Sequence, residues 1–550
     1  MKKSVFSILK KLFIAGRRPR PAQRDNNYAA KKPSDDDSPV LARRLQLIKE
    51  RLGESNDIIV RKFASSGDRV DMAVFFIDGL ADKKMINDNI IQPLLSATIV
   101  NNYAEKLTPR NAFDLAKKHI VSTGELTEAP DLTQAIAMVL SGDTALIIDG
   151  QQKIIICGTR MWEKRALAEP EAEPAVRGPR EGFSETMRIN TSLLRRRIKH
   201  EKLRFEAMKA GRRTSTDINL VYIEDIVNPR TLEEVRRRVA AIDTDGILES
   251  GYIEEFIEDA PLSVFPQIEH TERVDKAAAA VLEGRILIMT DNTPFMLIVP
   301  TSFFQFMQAS EDYYERPPIA AALRVLRLFV LNFALILPAA YVAIVTFHQE
   351  MLPTQLLLSI ASVREGIPFP AVAEALIMEF TFEVLREAGV RLPKTIGQAV
   401  SIVGGLVIGD AAIRAGLVSP AMVIIVSATA IANFALPAFN VAITLRLLRF
   451  PLIILGAVMG LYGVIFGLII ILIHLAGLQS FGVPYLTPLV HGSAGDMIKI
   501  VIRPPWWMTT LRPRMLGLKE RRRQATNLWA RPAPPSEREL THEDPGDENA

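Results

Sequence analysis

The chain has 550 residues, enough for two or three domains, with a formal net charge of +4 and a single cysteine. So small a charge over that length leaves no electrostatic footprint for nucleic acid, and one cysteine excludes a disulfide within the chain. Cys157, in the apolar run KIIICG, reads as a buried thiol of a reducing compartment.

The averages of 48% hydrophobic and 23% charged residues pool two unlike halves. Composition is that of a soluble protein to about residue 320 and mostly apolar from 328 to 477. At the start, MKKSVFSILKKLFIAGRRPRP resembles a secretion signal, but Lys10 and Lys11 interrupt its apolar run and no small-residue cleavage site follows. Val5, Phe6, Leu9, Leu12 and Phe13 fall near helical spacing, which suits either a basic helix on an anionic membrane surface or a disordered basic tail. With the charged, Pro-bearing stretch 17–38 they make residues 1–39 a basic amphipathic N-terminus and disordered linker. The large region that follows carries no export signal and is expected in the cytoplasm.

Residues 40–165 predict a first subdomain: helix LARRLQLIKERLG, strand VDMAVFFIDG, helices in KMINDNIIQPLL and DLTQAIAMVLSG, then a hairpin, TALIIDGQQKIIICG, turning at Asp149–Gly150. Residues 166–315 repeat that order. A helix, NTSLLRRRIKHEKLRFEAMK, precedes the strand TDINLVYIED, helices in TLEEVRRRVAAI and ERVDKAAAAVLEG, and the hairpin RILIMTDNTPFMLIVP. Two related α/β subdomains with alternating strands and helices are therefore expected.

Neither carries an enzyme's signature. GxxxxGK[ST], GxGxxG and GxSxG are absent. The seven histidines (119, 200, 270, 348, 474, 491 and 542) are scattered without metal-ligand spacing, so no metal or cofactor is expected. Asp78 and Asp225, which end strands, read as turn and cap residues.

Three later stretches, Leu328 to Gln349, Ala415 to Leu445 and Phe450 to Gly495, contain no Asp, Glu, Lys or Arg. About 20 apolar residues cross a bilayer core, so 316–500 predicts an α-helical multi-pass membrane domain of about five spans. Arg316, Arg324 and Arg327 precede the first span, which by the positive-inside rule runs from inside to outside and bends at Pro338. PTQLLLSIASVREGIPFP is too short to cross, and Gly366, Pro368 and Pro370 break it before a 20-residue helix to Gly389. On that helix Glu379, Glu383 and Glu387 form one stripe and Glu374 points away from it.

An acidic stripe inside a membrane domain faces a water-filled pore, pairs with buried cations, or lies at the interface, here with Arg386 and Arg391 in reach. Rings of glutamate about an axis would attract cations. Glu374, Glu379, Glu383 and Glu387, with Gly366, Pro368 and Pro370, are the candidate pore or gate residues. In the third hydrophobic element, TIGQAVSIVGGLVIGDAAIRAGLVSP, Asp410 and Arg414 sit at i, i+4 and predict a structural ion pair. The fourth carries Asn433, Pro437 and Asn440, and the fifth places Gly456, Gly460, Gly463 and Gly467 on one packing face. Charge placement does not settle the topology. Five crossings leave the tail 501–550 outside although it holds LKERRRQ, unless a segment re-enters after Gly477 or 353–389 is a re-entrant pair; a cytoplasmic or disordered tail is the expectation.

The runs VRGPREGF (176–183), NTSLLRRRIK (190–199), REGIPFP (364–370), LREAGVRLPKTIG (385–397), VGGLVIGDAA (403–412) and SFGVPY (480–485) resemble the A subunit of the GerA-type spore germinant receptors, from about residue 40 to 515. The resemblance implies a spore inner membrane protein with a cytoplasmic N-terminal region. It also implies partnership with a permease-like B subunit and a lipoprotein C subunit, and oligomerisation as a nutrient-gated cation channel. The related stage V sporulation membrane proteins share this pattern. A secondary transporter with broken helices at 353–389 and a non-conducting scaffold are the rival readings.

Overall fold

The two N-terminal subdomains are copies of one topology. The computed structural model describes residues 38–65, 70–95, 111–161, 169–170, 172–391, 409–490, 492 and 494–525. The first sheet contains β1 (Ile58–Ala64), β2 (Asp71–Ile77), β3 (Leu126–Ala129), β4 (Thr144–Ile148) and β5 (Ile154–Cys157), in the order β1-β2-β4-β5-β3. The second contains β6 (Leu203–Ala210), β7 (Thr216–Ile223), β8 (Glu269–Thr271), β9 (Ile286–Thr290) and β10 (Met296–Val299), in the order β6-β7-β9-β10-β8. The second order is the first shifted by five.

Every strand pair in both sheets is antiparallel. Central strands are buried on both faces, so they read as unbroken apolar runs instead of alternating ones. In β2, Met72, Val74 and Phe76 face one core cluster while Ala73, Phe75 and Ile77 face another. Cys157 is fully buried and unpaired, and burial pushes its thiol up to about 12.

Six principal helices accompany the sheets: α1 (Leu41–Leu52), α2 (Leu132–Val139), α3 (Met187–Arg197), α4 (Pro229–Ala240), α5 (Ser250–Ile257) and α6 (Val274–Leu282). The long helix expected over residues 190–209 ends at Arg197, and LRFEAMK is strand β6. Eight-residue pairing with β7, from Leu203↔Ile223 to Ala210↔Thr216, together with burial of Leu203 and Phe205, outweighs that segment's helical propensity. A buried ion pair joins the subdomains: Arg195 on α3 donates to Asp57 at 2.6 Å, the two side chains 0% and 3% exposed. Ser55 completes the joint, donating to Asp57 and accepting the Phe205 amide.

The C-terminal half comprises α7 (Pro317–Phe347), α8 (Thr354–Arg364), α9 (Ala371–Arg391), α10 (Gly409–Arg414), α11 (Pro420–Phe434), α12 (Phe439–Gly477) and α13 (Ala494–Val501). Two of these, α7 and α12, are long and apolar enough to cross a membrane. The basic N-terminal segment and most of the third hydrophobic element lie outside the described residues.

The α12 element is not one rod. Gly460 has non-helical φ/ψ of 62° and −147°, and the chain reverses there. A Cβ placed on Gly467 would lie 2.5 Å from Leu452 Cδ2, a residue 15 positions earlier; a straight helix would separate the two by about 22 Å. The arms 439–459 and 461–477 are therefore antiparallel, about 30 Å and 25 Å long at 1.5 Å per residue. This corrects the reading of Gly456, Gly460, Gly463 and Gly467 as one packing face, because Gly460 is the turn. Gly456 packs against the Ala339 carbonyl of α7, while Gly463 and Gly467 admit the opposite arm.

The hairpin returns the chain to where it started. Its tip meets the end of α7, with the Tyr462 and His348 rings 6.1 Å apart. Its open end meets subdomain two, where Thr444 donates to the Val264 carbonyl at 2.5 Å and Ser263 bonds His474 at 2.9 Å. Residues 478–485 form the small β11 (Gln479–Ser480) and β12 (Val483–Pro484) pair against the same face, Tyr485 donating to the Pro266 carbonyl. Leu516 and Leu518 then enter subdomain two's core, and Arg512 donates to the Leu282 carbonyl. The described part of the tail, to residue 525, thus packs against subdomain two.

Candidate functional site

The acidic residues of α9 meet a basic set that the sequence distributes over α9 itself and two other elements, α8 and α12. Gly366, Pro368 and Pro370 are exposed and make the bend between α8 and α9. The prolines leave carbonyls but no N–H groups to bond, so the bend stays short, and the Pro370 carbonyl accepts the Glu374 amide as α9 begins.

Glu374 is fully buried and turned away from the other three acids. It accepts from the amide and hydroxyl of Ser419, the residue that caps α11, and from Arg364 at 3.3 Å. Both ends of the REGIPFP bend are thereby tied to the start of α11.

Glu379, one and a half turns on, is 1% exposed and bonds Arg449 of α12 at 2.6 Å. Arg449, also 1% exposed, reaches Thr429 of α11 at 3.5 Å. Glu383 receives Arg446 at 2.9 Å and Arg386 at 3.4 Å. Glu387 is exposed and pairs with Arg391 at 2.6 Å. Polarity therefore rises along the helix, from sealed pairs at Glu374 and Glu379 to a solvated pair at Glu387. Asp410 and Arg414 form the i, i+4 pair at 2.7 Å, and both are well exposed.

The network is incompletely satisfied. Glu379 Oε1, Glu383 Oε1, Arg449 Nε and Nη2, and both amide atoms of Asn433 are buried and make no hydrogen bond. Buried polar groups normally find partners, and six such atoms on α9, α11 and α12 demand water or a second arrangement. Among the described residues no three His, Cys, Asp or Glu side chains converge to hold a metal ion.

The sequence pointed to the four glutamates but missed Arg364, Arg446 and Arg449. Their signal was present: Arg446 and Arg449 are spaced i, i+3 immediately before an apolar run, as Glu379 and Glu383 are spaced i, i+4. Opposed short-spaced charges on two apolar helices are natural partners.

The family model described as "Bacillus/Clostridium GerA spore germination protein" matches residues 46–515. Spore germination protein KA of Bacillus subtilis (strain 168) is 45% identical over 515 residues, 93% of each chain. Spore germination protein GerLA of Bacillus cereus is 43% identical over 86% of this chain and 95% of its own. Stage V sporulation protein AF of Bacillus subtilis (strain 168) is 31% identical over 86% and 94%. Among solved structures, the N-terminal domain of the A subunit of the Bacillus megaterium spore germinant receptor GerK3 is 35% identical, with a TM-score of 0.40 over 50% of this chain and 99% of that one. With the family match spanning both the sheet region and the paired-charge helices, the chain belongs to the GerA family of spore germination proteins.

Proposed function

We propose that this chain is the A subunit of a germinant receptor in the spore inner membrane, with its sheet region in the cytoplasm. In this reading α7, α9, α11 and the arms of α12 belong to a multi-pass domain. Copies of the chain assemble with a permease-like B subunit and a lipoprotein C subunit into a nutrient-gated cation-conducting channel.

One observation supports conduction: the partly unsatisfied charge network of Glu379, Glu383, Arg449 and Asn433 inside an otherwise apolar helix cluster. Static ion pairs in low dielectric are costly unless fully bonded, so an incompletely bonded set suits a gate with a second state. Arg449 neutralises Glu379 when the gate is shut; withdrawal of α12 from α9 exposes carboxylates that attract cations. The higher identity to proteins KA and GerLA than to the stage V protein favours a receptor over the related sporulation protein.

The test is cation flux in liposomes holding the chain with its partner subunits. Glu379→Gln together with Glu383→Gln lowers flux about tenfold or more, and Arg449→Gln raises flux without germinant. Flux equal to wild type in both variants eliminates the network as gate and leaves a fold-holding clamp.

A further inference from the structure

A cavity of about 480 Å³ lies between α6, the start of α7 and the returning segment 487–523. Its wall carries eight lysine or arginine residues against four carboxylates. Three of the arginines, Arg285, Arg324 and Arg503, are each 4% exposed. Burying a guanidinium is costly unless it is paired, and here the pairing is incomplete.

Arg503 donates only to carbonyls, those of Glu315 at 2.7 Å and Tyr313 at 3.0 Å, and among the described residues no carboxylate lies within 4 Å of it. Its Nε, with Arg285 Nε, Arg324 Nη2 and Thr487 Oγ1, is buried without a hydrogen bond. Arg324 and Arg503 both lie against the Tyr313 ring, at 5.2 and 5.7 Å. Burial lowers the Arg503 pKa, and the neighbouring Arg324, itself paired with Asp312 at 2.8 Å, adds to the effect.

We infer that this cavity binds a phosphate-bearing anion. Planar guanidiniums with spare N–H groups match phosphate oxygens bidentately, and the cavity falls in the size range of small-molecule sites. A soluble phosphate or a phospholipid headgroup could supply the group. The cavity opens beside the first residues of α7, where a bilayer surface lies if the membrane reading above holds; only the lipid source depends on that reading.

The test uses the full chain in nanodiscs, reading the unfolding temperature by tryptophan fluorescence, since Trp506 lines the cavity. One arm titrates inorganic phosphate into discs of zwitterionic lipid, and the other replaces about a third of that lipid with phosphatidylglycerol. Stabilisation by phosphate assigns a soluble ligand; stabilisation by phosphatidylglycerol alone assigns a headgroup. Arg503→Gln weakens the response about tenfold. Arg514→Gln, an exposed lining residue with no part in the core, weakens it about threefold and covers the case in which the first variant misfolds. Arg230→Gln, on α4 outside the cavity, leaves it unchanged. No stabilisation in either arm, or an equal response from the Arg514 variant and wild type, overturns the assignment.

Discussion

Arg449 of α12 holds Glu379 of α9 at 2.6 Å with both side chains out of solvent. Truncating one partner leaves the other charged and buried, which costs about 3–5 kcal/mol, whereas replacing both with apolar residues of similar volume is often mild. Arg449→Leu should therefore melt well below wild type, and the Glu379→Leu, Arg449→Leu double variant should recover most of the loss. Thermal unfolding in detergent reads both. Equal melting of the single and double variants would show that the two residues are not coupled.

The ion pair at the subdomain joint leads to a local prediction. Arg195 satisfies Asp57 and Ser55 together, and its guanidinium lies 5.0 Å from the Phe205 ring centroid. Arg195→Met keeps the stem's packing but strands Asp57, for a loss of about 3–5 kcal/mol. Hydrogen exchange at the Asn56 amide, which bonds the Phe205 carbonyl at 3.0 Å, should speed by at least tenfold while β4 keeps its protection. Unchanged exchange at Asn56 would mean that the joint is held elsewhere.

The contrast between these two pairs marks what is legible in a sequence. Asp57 and Arg195 are 138 positions apart and sit in ordinary polar runs, so no local pattern announces them. The hairpins at Asp149–Gly150 and 285–300 were readable because turn chemistry and apolar strands lie within fifteen residues of each other. Strands β1, β3, β6 and β8 are not legible in the sequence: all four lie at a sheet edge, β3 and β8 are short, and β6 has good helix formers in LRFEAMK. The reversal at Gly460 was hidden for a different reason. In an apolar segment a glycine that packs and a glycine that turns look alike, and only its left-handed φ distinguishes it.

Glu254 gives a pH signature for subdomain two. Burial, reinforced by Glu258 and Glu249, pushes its carboxyl up to about 8. The folded state then keeps a proton that the unfolded state has released, so stability falls as pH rises from about 4.5 to about 8 and levels above that. Glu254→Gln should remove this slope and raise stability at pH 9, by about 1.4 kcal/mol for each pH unit that separates the folded and unfolded pKa, while changing little at pH 4. A variant whose melting temperature follows the wild-type pH profile would refute the assignment to Glu254.

The reversal of α12 returns the chain to subdomain two, and it can be tested chemically. Leu452 and Gly467 face each other across the hairpin, while an unbroken helix would hold them about 22 Å apart. With Cys157 replaced by Ser, cysteines at 452 and 467 should cross-link under mild oxidation or with a short bifunctional maleimide. A pair at 452 and 475 should not, because position 475 lies near the open end of the hairpin, beside subdomain two. Gly460→Ala should lower the yield several-fold. Its φ of 62° is unfavourable for any residue with a Cβ, and the added methyl would lie 2.6 Å from the His348 ring. Failure of 452 to cross-link with 467 would mean a straight helix, which holds the two about 22 Å apart, and the tail would then have to reach subdomain two by another route.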